Sequence, residues 1–457
     1  MKNGPKVEEG RRKARKERLL SDALDFPPPE YPRMSVPPPG PKARAVIAQD
    51  REWSSPSYIK EYPFVMAGGR GAMAEDVDGN RYIDFMTGIA VSATGYNHPE
   101  IVAAVREAAG RFLHICSTDF YYEGMARLCE RLSKSWPGKD KKRVFLSNSG
   151  TEAVEGAIKL ARYATRRPYI IAFEGAFHGR SYAAMSVTAS KVKYREGFGP
   201  FLPVVHLPYD NPYRPAPWRE RMEELFETRT SPKEVAAVIM EPILGEGGYV
   251  VPGVEFLKTW RKVCDDHGIM LIFDEIQCGM GRTGKLWAFE HSGVEPDVVL
   301  TAKGLGSGLP IGAIIAKEKW MIWPRGSHGT TFGGNPVSCA AALKTLDLME
   351  SGLLRNAQSM GERLLKGLKD LQAKHPSIGD VRGVGLMIGV EFVKDRRTRE
   401  PDHGLVERLE SLAFEKGLLL LSCGKSVIRI APPLVLTPYD VDKGLSILDE
   451  SLAELGA

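Results

Sequence analysis

The sequence predicts an α/β protein: a large domain with a mostly parallel sheet flanked by helices, joined to a smaller α+β domain built from both chain ends. Three observations lead there. Short runs that are apolar on both faces recur through the middle of the chain, at 144–146, Tyr169–Phe173, Val235–Met240, 269–273, 298–300 and 311–316. Strands read this way when helices cover both faces of their sheet. Helical patterns separate many of these runs, as at 152–164 and Val254–His267, and such alternation marks crossover-connected strands. From about Pro336 the order changes, and long helical patterns precede short strand runs at Met387–Phe392 and Val427–Ile430.

A chain of 457 residues exceeds one ordinary core. The expected division is a disordered basic and Pro-rich tail over 1–41, a first part of the small domain over 42–90, the large domain over 91–335, and the rest of the small domain over 336–457. The tail holds Phe26-Pro-Pro-Pro and Pro37-Pro-Pro-Gly-Pro41, which favour extended backbone. Residues 1–18 carry eight basic and three acidic side chains, a surplus equal to the whole chain's net charge of +5. The remainder is formally neutral, and nothing else points to nucleic acid. No apolar run approaches the roughly 20 residues that span a bilayer. No apolar segment follows the basic start, which argues against a secretory signal and for a cytoplasmic protein. The six cysteines are scattered without a C-x-x-C pair, which argues against a zinc site and a disulfide framework. No metal site is expected.

Three segments carry candidate chemistry. Ser147-Asn-Ser-Gly-Thr-Glu152 follows a strand run and opens a helix. Ser149 and Glu152 have capping-box spacing, and free N–H groups at a helix start can hold a phosphate. An ordinary capped helix would look the same. Ile272-Phe-Asp274 delivers a carboxylate at a strand end, where ligands of open α/β sheets sit. Thr301-Ala-Lys303-Gly-Leu-Gly-Ser-Gly places a lysine in a loop able to approach a ligand closely. A partly desolvated lysine loses basicity and becomes nucleophilic. Between the last two, Gly279-Met-Gly-Arg-Thr-Gly284 fits G-x-G-x-x-G, and with Lys285 it fits most of a P-loop. Leu286 stands where a P-loop needs Ser or Thr, and no long helix follows, so a nucleotide-binding reading is set aside.

In this order and combination the segments resemble class-III aminotransferases, of the fold-type I pyridoxal-phosphate enzymes. The resemblance runs from about Pro41 to the C-terminus. It also draws on Ala176-Phe-His-Gly-Arg180, Glu241-Pro-Ile-Leu-Gly-Glu-Gly-Gly248, Gly281-Arg-Thr-Gly284 and Thr331-Phe-Gly-Gly-Asn-Pro336. It implies pyridoxal 5'-phosphate held covalently by Lys303, with Asp274 on the ring nitrogen and Gly150 and Thr151 at the phosphate. Phe177 and Ile276 would flank the ring, and Gln277 would lie near the phenolic oxygen. Thr331 would reach the phosphate of a neighbouring subunit, implying a homodimer with shared sites. Arg429, in Ile428-Arg-Ile-Ala-Pro-Pro-Leu434, would grip an α-carboxylate, Glu246 would switch it, and Arg180 would hold a distal carboxylate. Leu244 departs from the Gln of many relatives. The branch resembled contains ω-amino-acid, 4-aminobutyrate and ornithine aminotransferases that use 2-oxoglutarate, and also amino-acid racemases. The resemblance is read as implying transfer of an amino group from an ω-amino or amino-acid donor of the 4-aminobutyrate or ornithine type to 2-oxoglutarate, with amino-acid racemisation as the alternative.

Overall fold

The computed structural model describes residues 31–457. Its strands in chain order are Met66–Arg70 (β1), Met73–Asp76 (β2), Arg81–Asp84 (β3), Lys142–Ser147 (β4), Tyr169–Phe173 (β5), Val204–Leu207 (β6), Val235–Met240 (β7), Met270–Asp274 (β8), Val298–Thr301 (β9), Gly312–Lys317 (β10), Ile378–Val384 (β11), Met387–Phe392 (β12), Leu418–Leu419 (β13), Leu421–Cys423 (β14) and Val427–Ile430 (β15).

The central sheet has the order β4-β10-β9-β8-β7-β5-β6. The β9-β8-β7-β5-β6 pairings are parallel, and β10 alone runs antiparallel to its neighbours. Residues of β7 and β8 are buried without exception, which explains their unbroken apolar sequence. One face packs an aromatic cluster in which Phe173 lies 5.3 Å from Phe256 and 5.4 Å from Trp260 by ring centroid. The other is covered by helix Gly150–Thr165, whose Ala153, Val154, Ala157, Ile158 and Ala161 are buried against the sheet. Two four-stranded sheets, β1-β2-β3-β13 and β11-β12-β15-β14, come from the two ends of the described chain. Strand β6, missing from the sequence expectation, is a sheet edge that is only half buried.

The expected disorder up to residue 41 does not hold from Tyr31 onward. Tyr31 donates to Asp440 Oδ1 at 2.6 Å. The N–H groups of Ser35 and Val36 share Asn80 Oδ1 at 2.8 and 2.9 Å, and those of Lys42 and Ala43 reach Asp78 at 2.9 and 2.8 Å. A Pro-rich stretch cannot order itself through its own ladder, so side chains of the β2–β3 turn supply the acceptors. The first 30 residues, with the basic cluster, lie outside the described part. Among the described residues no helix is long and apolar enough to cross a membrane.

Directly after β8, Glu275 is fully buried and accepts the N–H groups of Ala288 and Phe289, each at 2.8 Å. Burial pushes its carboxyl up to about 7 against these two bonds. A raised folded-state pKa means that the folded chain binds more protons than the unfolded one between about 4.5 and 7. The contribution is full below the unfolded value and is lost as pH rises through the folded one. Glu275→Gln is therefore expected to compare better with the parent protein at pH 7.5 than at pH 5. Thermal midpoints at the two pH values test this, and an equal offset at both would show that Glu275 does not titrate there.

Candidate active site

The loops after β4, β5, β7, β8 and β9 all leave the carboxyl edge of the sheet and surround a cavity of about 500 Å³. Eight residues singled out in the sequence line it: Gly150, Thr151, Phe177, Arg180, Asp274, Ile276, Gln277 and Lys303. On one side stands the start of helix Gly150–Thr165. Ser149 caps it by accepting Glu152 N–H at 3.4 Å. The expected reciprocal bond shifts by one residue, since Glu152 Oε2 accepts Asn148 N–H at 2.8 Å. Thr151 Oγ1 bonds Ser181 Oγ at 2.5 Å. A Cβ on Gly150 would stand 2.8 Å from Ile276 Cδ1, so glycine is required for that side chain to approach.

Asp274, only 3% exposed, lines the same cavity. Its Oδ2 meets His178 Nδ1 at 2.7 Å, and its Oδ1 accepts Ile276 N–H at 3.0 Å. His178 is a partner that no local rule disclosed, since 96 residues separate the two. Glu241 was also missed. It accepts the N–H groups of Phe177 at 3.0 Å and Gly245 at 2.8 Å. Burial raises its carboxyl to about 7; the Asp274 charge adds to this and His178 opposes it. Both residues stand inside motifs recognised in the sequence, which is the only signal that could have flagged them.

Lys303 adopts φ +37°, outside the usual region for a side-chain-bearing residue. Its pKa is lowered by burial, against the pull of Asp274 and Glu241. A less basic amine facing a cavity is suited to attack carbonyl carbon. Gln277, nearly buried, has an amide oxygen without a partner.

Three predicted residues do not line this cavity. Arg429 and Glu246 pair with one another, Nη1 to Oε2 at 2.9 Å, with both residues buried. Lys191 Nζ also reaches Glu246 Oε1 at 3.2 Å, and Tyr194 hydroxyl lies 3.4 Å from the same oxygen. Arg180 lies over the rings of Tyr194 and Phe177, at 4.6 and 5.2 Å to their centroids, which connects this charged cluster to the cavity. Lys191 and Tyr194 had no recognisable sequence signal. Thr331 is exposed on the chain's surface. The departing residue Leu244 is buried against Gly175 and Gly247, and it fills a packing position. The glycine-rich turn at 279–285 does not line the cavity either. It precedes a four-residue helical turn, Ala288–His291, and Lys285 Nζ donates to Glu290 O at 3.0 Å.

Comparison with known proteins identifies the family. The class-III aminotransferase family model matches residues 56–452. The chain is 40% identical to 4-aminobutyrate aminotransferase of Mycobacterium tuberculosis, over 91% of this chain and 97% of that one. It is also 40% identical to alanine/serine racemase of Pyrococcus horikoshii, over 93% of each. Among solved structures, ornithine aminotransferase of Toxoplasma gondii, described with PLP partly occupying its active site, superposes with TM-score 0.80 at 30% identity. That superposition covers 90% of this chain and 95% of the other. The chain belongs to the class-III aminotransferases, enzymes of fold type I that work with pyridoxal 5'-phosphate.

Proposed function

We propose that this transaminase moves an amino group from an ω-amino donor such as 4-aminobutyrate or ornithine to 2-oxoglutarate in two half-reactions. The buried Glu246–Arg429 pair carries the reading. An enzyme that takes an uncharged donor end and then an α-carboxylate at one place needs an arginine that can be neutralised and released.

The cavity chemistry fits pyridoxal phosphate. Free N–H groups at Gly150 and Thr151 suit its phosphate, Asp274 suits a protonated ring nitrogen, and the NH₂ end of Gln277, which lines the cavity, would suit a ring oxygen. Phe177 and Ile276 would enclose the ring, and Lys303 would hold the cofactor covalently. When bound, the cofactor supplies an electron sink. Within that site Lys303 Nζ would take up and release the proton of the substrate carbon, a role that suits an amine whose basicity is lowered by burial. Arg429 grips the α-carboxylate, where a guanidinium can make two parallel bonds. Arg180, with Lys191 close by, receives the distal carboxylate, which orients the substrate at both ends. A homodimer would bring Thr331 to the partner's phosphate. Exposed apolar side chains beside Thr331 support that pairing: Phe332 (61% exposed) lies 5.1 Å from the His114 ring by centroid, next to Leu113 (66%), whose carbonyl accepts Asn335 Nδ2 at 3.0 Å.

The racemase reading is favoured by the 40% identity to alanine/serine racemase. A racemase has no use for an acceptor. Rapid L–D interconversion without 2-oxoglutarate, and no glutamate formed with it, would replace the transaminase reading. Lys303→Ala is expected to lose almost all turnover, and peptide mapping after borohydride reduction should find the cofactor on Lys303 in the parent enzyme. An adduct on any other lysine would refute the assignment. Glu246→Ala is expected to favour α-amino over ω-amino donors, and Arg180→Ala to raise the KM for 2-oxoglutarate. Equal loss in both half-reactions of Glu246→Ala would make Glu246 structural. Sedimentation of a fully active monomer would remove the shared site.

A further inference from the structure

The turn at residues 279–284 has no part in the reading above, yet it buries a charge. Arg282 is 2% exposed and forms no ion pair among the described residues. Leaving a guanidinium so enclosed is costly unless its donors are used. Arg282 Nη1 donates to Leu386 O at 3.3 Å and also to Pro432 O, while its own carbonyl accepts Leu386 N–H at 2.9 Å. Packing fixes the turn itself: a Cβ on Gly281 would stand 2.7 Å from Met349 Sδ, and one on Gly385 would stand 2.4 Å from Thr283 carbonyl carbon.

Pro432 lies just past the end of β15, the strand that carries Arg429. The neighbouring Ala431 is held from the other side, where its carbonyl accepts Thr87 Oγ1 at 2.8 Å and its N–H donates to Phe85 O at 2.7 Å. Thr87 opens a turn in which Thr87, Gly88, Ile89 and Ala90 all have positive φ, at 50, 60, 67 and 60°. L-residues other than glycine adopt this conformation only at a cost. Asp84 Oδ1 holds the turn by accepting the N–H groups of Met86 at 2.7 Å and Thr87 at 2.9 Å. The segment runs on to Val91 on the cavity wall. Thr94 then meets Ser307 Oγ, in the Lys303 loop, through its N–H at 2.9 Å and its hydroxyl at 2.6 Å.

We propose that Arg282 and Thr87 are positioning residues for Arg429, clamping the Ala431-Pro432 exit of β15 and setting the distance between the carboxylate grip and the Lys303 loop. This rests on Arg429 being the carboxylate holder. The need for such a clamp follows from how Arg429 is held. Among the described residues its side chain has one hydrogen-bond partner, Glu246, and its Nε has none. When a substrate carboxylate displaces Glu246, only the strand's backbone decides where the guanidinium stands.

The test compares Arg282→Lys, Thr87→Val, Thr87→Ser and Arg429→Gln holoenzymes with the parent. Three quantities are read: the KM for 2-oxoglutarate, calorimetric binding of the unreactive dicarboxylate glutarate, and the single-turnover rate with a primary amine lacking any carboxylate. Arg282→Lys and Thr87→Val are expected to raise the KM and the glutarate Kd about ten- to hundred-fold, the scale of a small misplacement of a binding group. The carboxylate-free half-reaction should stay within about two-fold of the parent, and Thr87→Ser, which keeps the hydroxyl, should restore both constants. Should Arg282→Lys fail to fold, Thr87→Val carries the test, because it deletes one hydroxyl. Equal slowing of both half-reactions, or unchanged KM and Kd, would make the clamp merely structural and overturn the proposal. If Arg429→Gln weakens glutarate while the clamp variants do not, the clamp alone is wrong. If Arg429→Gln leaves glutarate binding intact, the carboxylate reading falls and the proposal falls with it.

Discussion

A carboxylate enclosed at the end of β8 is the constraint around which the site is arranged. Asp274 is only 3% exposed, and a polar group so enclosed needs partners. His178 and the Ile276 N–H provide two contacts, and the remaining capacity points to a cationic ligand atom. Glu241 and Lys303 share the same surroundings and respond in opposite senses, the carboxyl drawn up to about 7 and the amine drawn down. Burial thus favours the neutral form of each, while Asp274 favours any positive charge brought near it. The helix start at Gly150, on the same cavity, favours negative charge. A ligand with an anionic end and a basic nitrogen would be oriented by these two fields before any specific contact is counted.

Beyond the cavity the balance reverses. Arg429 and Lys191 both pair with one carboxylate, that of Glu246, and Tyr194 connects it to Arg180 on the cavity wall. A buried ion pair adds little net stability, because desolvation of both charges offsets their attraction. Removing one partner is what costs, since it strands the other charge. Under the proposed reading a substrate carboxylate would avoid that cost by replacing Glu246 on Arg429 while Lys191 stayed beside the displaced carboxylate. The cluster is therefore suited to exchange.

How much of this was legible in the sequence depends on where each residue's partners lie. Strands β5 and β7 were read to the residue because burial on both faces leaves only apolar side chains, and β12 and β15 were also read to the residue although each buries one charged side chain, Glu391 and Arg429. Strand β6 was invisible, being a half-buried edge that follows Pro203, and β11 is interrupted by Gly379 and Asp380. Lys303, Asp274 and Gly150 were legible because each sits in a local strand-to-loop pattern that implies its surroundings. His178, Glu241 and Lys191 act through neighbours 96, 64 and 55 residues away in the chain, and no periodicity encodes such a meeting. The same holds for Tyr31, which needed Asp440 to become ordered.

The glycine-rich turn shows why a spacing pattern alone carries so little. In a phosphate-binding loop, glycines let backbone N–H groups turn toward the ligand. Here the N–H of Gly279 is used by Glu275 O at 2.9 Å and that of Gly284 by Gly281 O at 3.0 Å. The missing side chains are needed because other groups already fill their space: Glu275 O at 2.6 Å from a Cβ on Gly279, and Gln358 at 3.2 Å from one on Gly284. Phosphate recognition and close packing of a turn both require small residues at tight intervals. They differ in whether the amides are free, and in this turn those two are already bonded to carbonyls. The charge between the glycines then finds its donors' partners in the chain's own backbone, at Leu386 and Pro432.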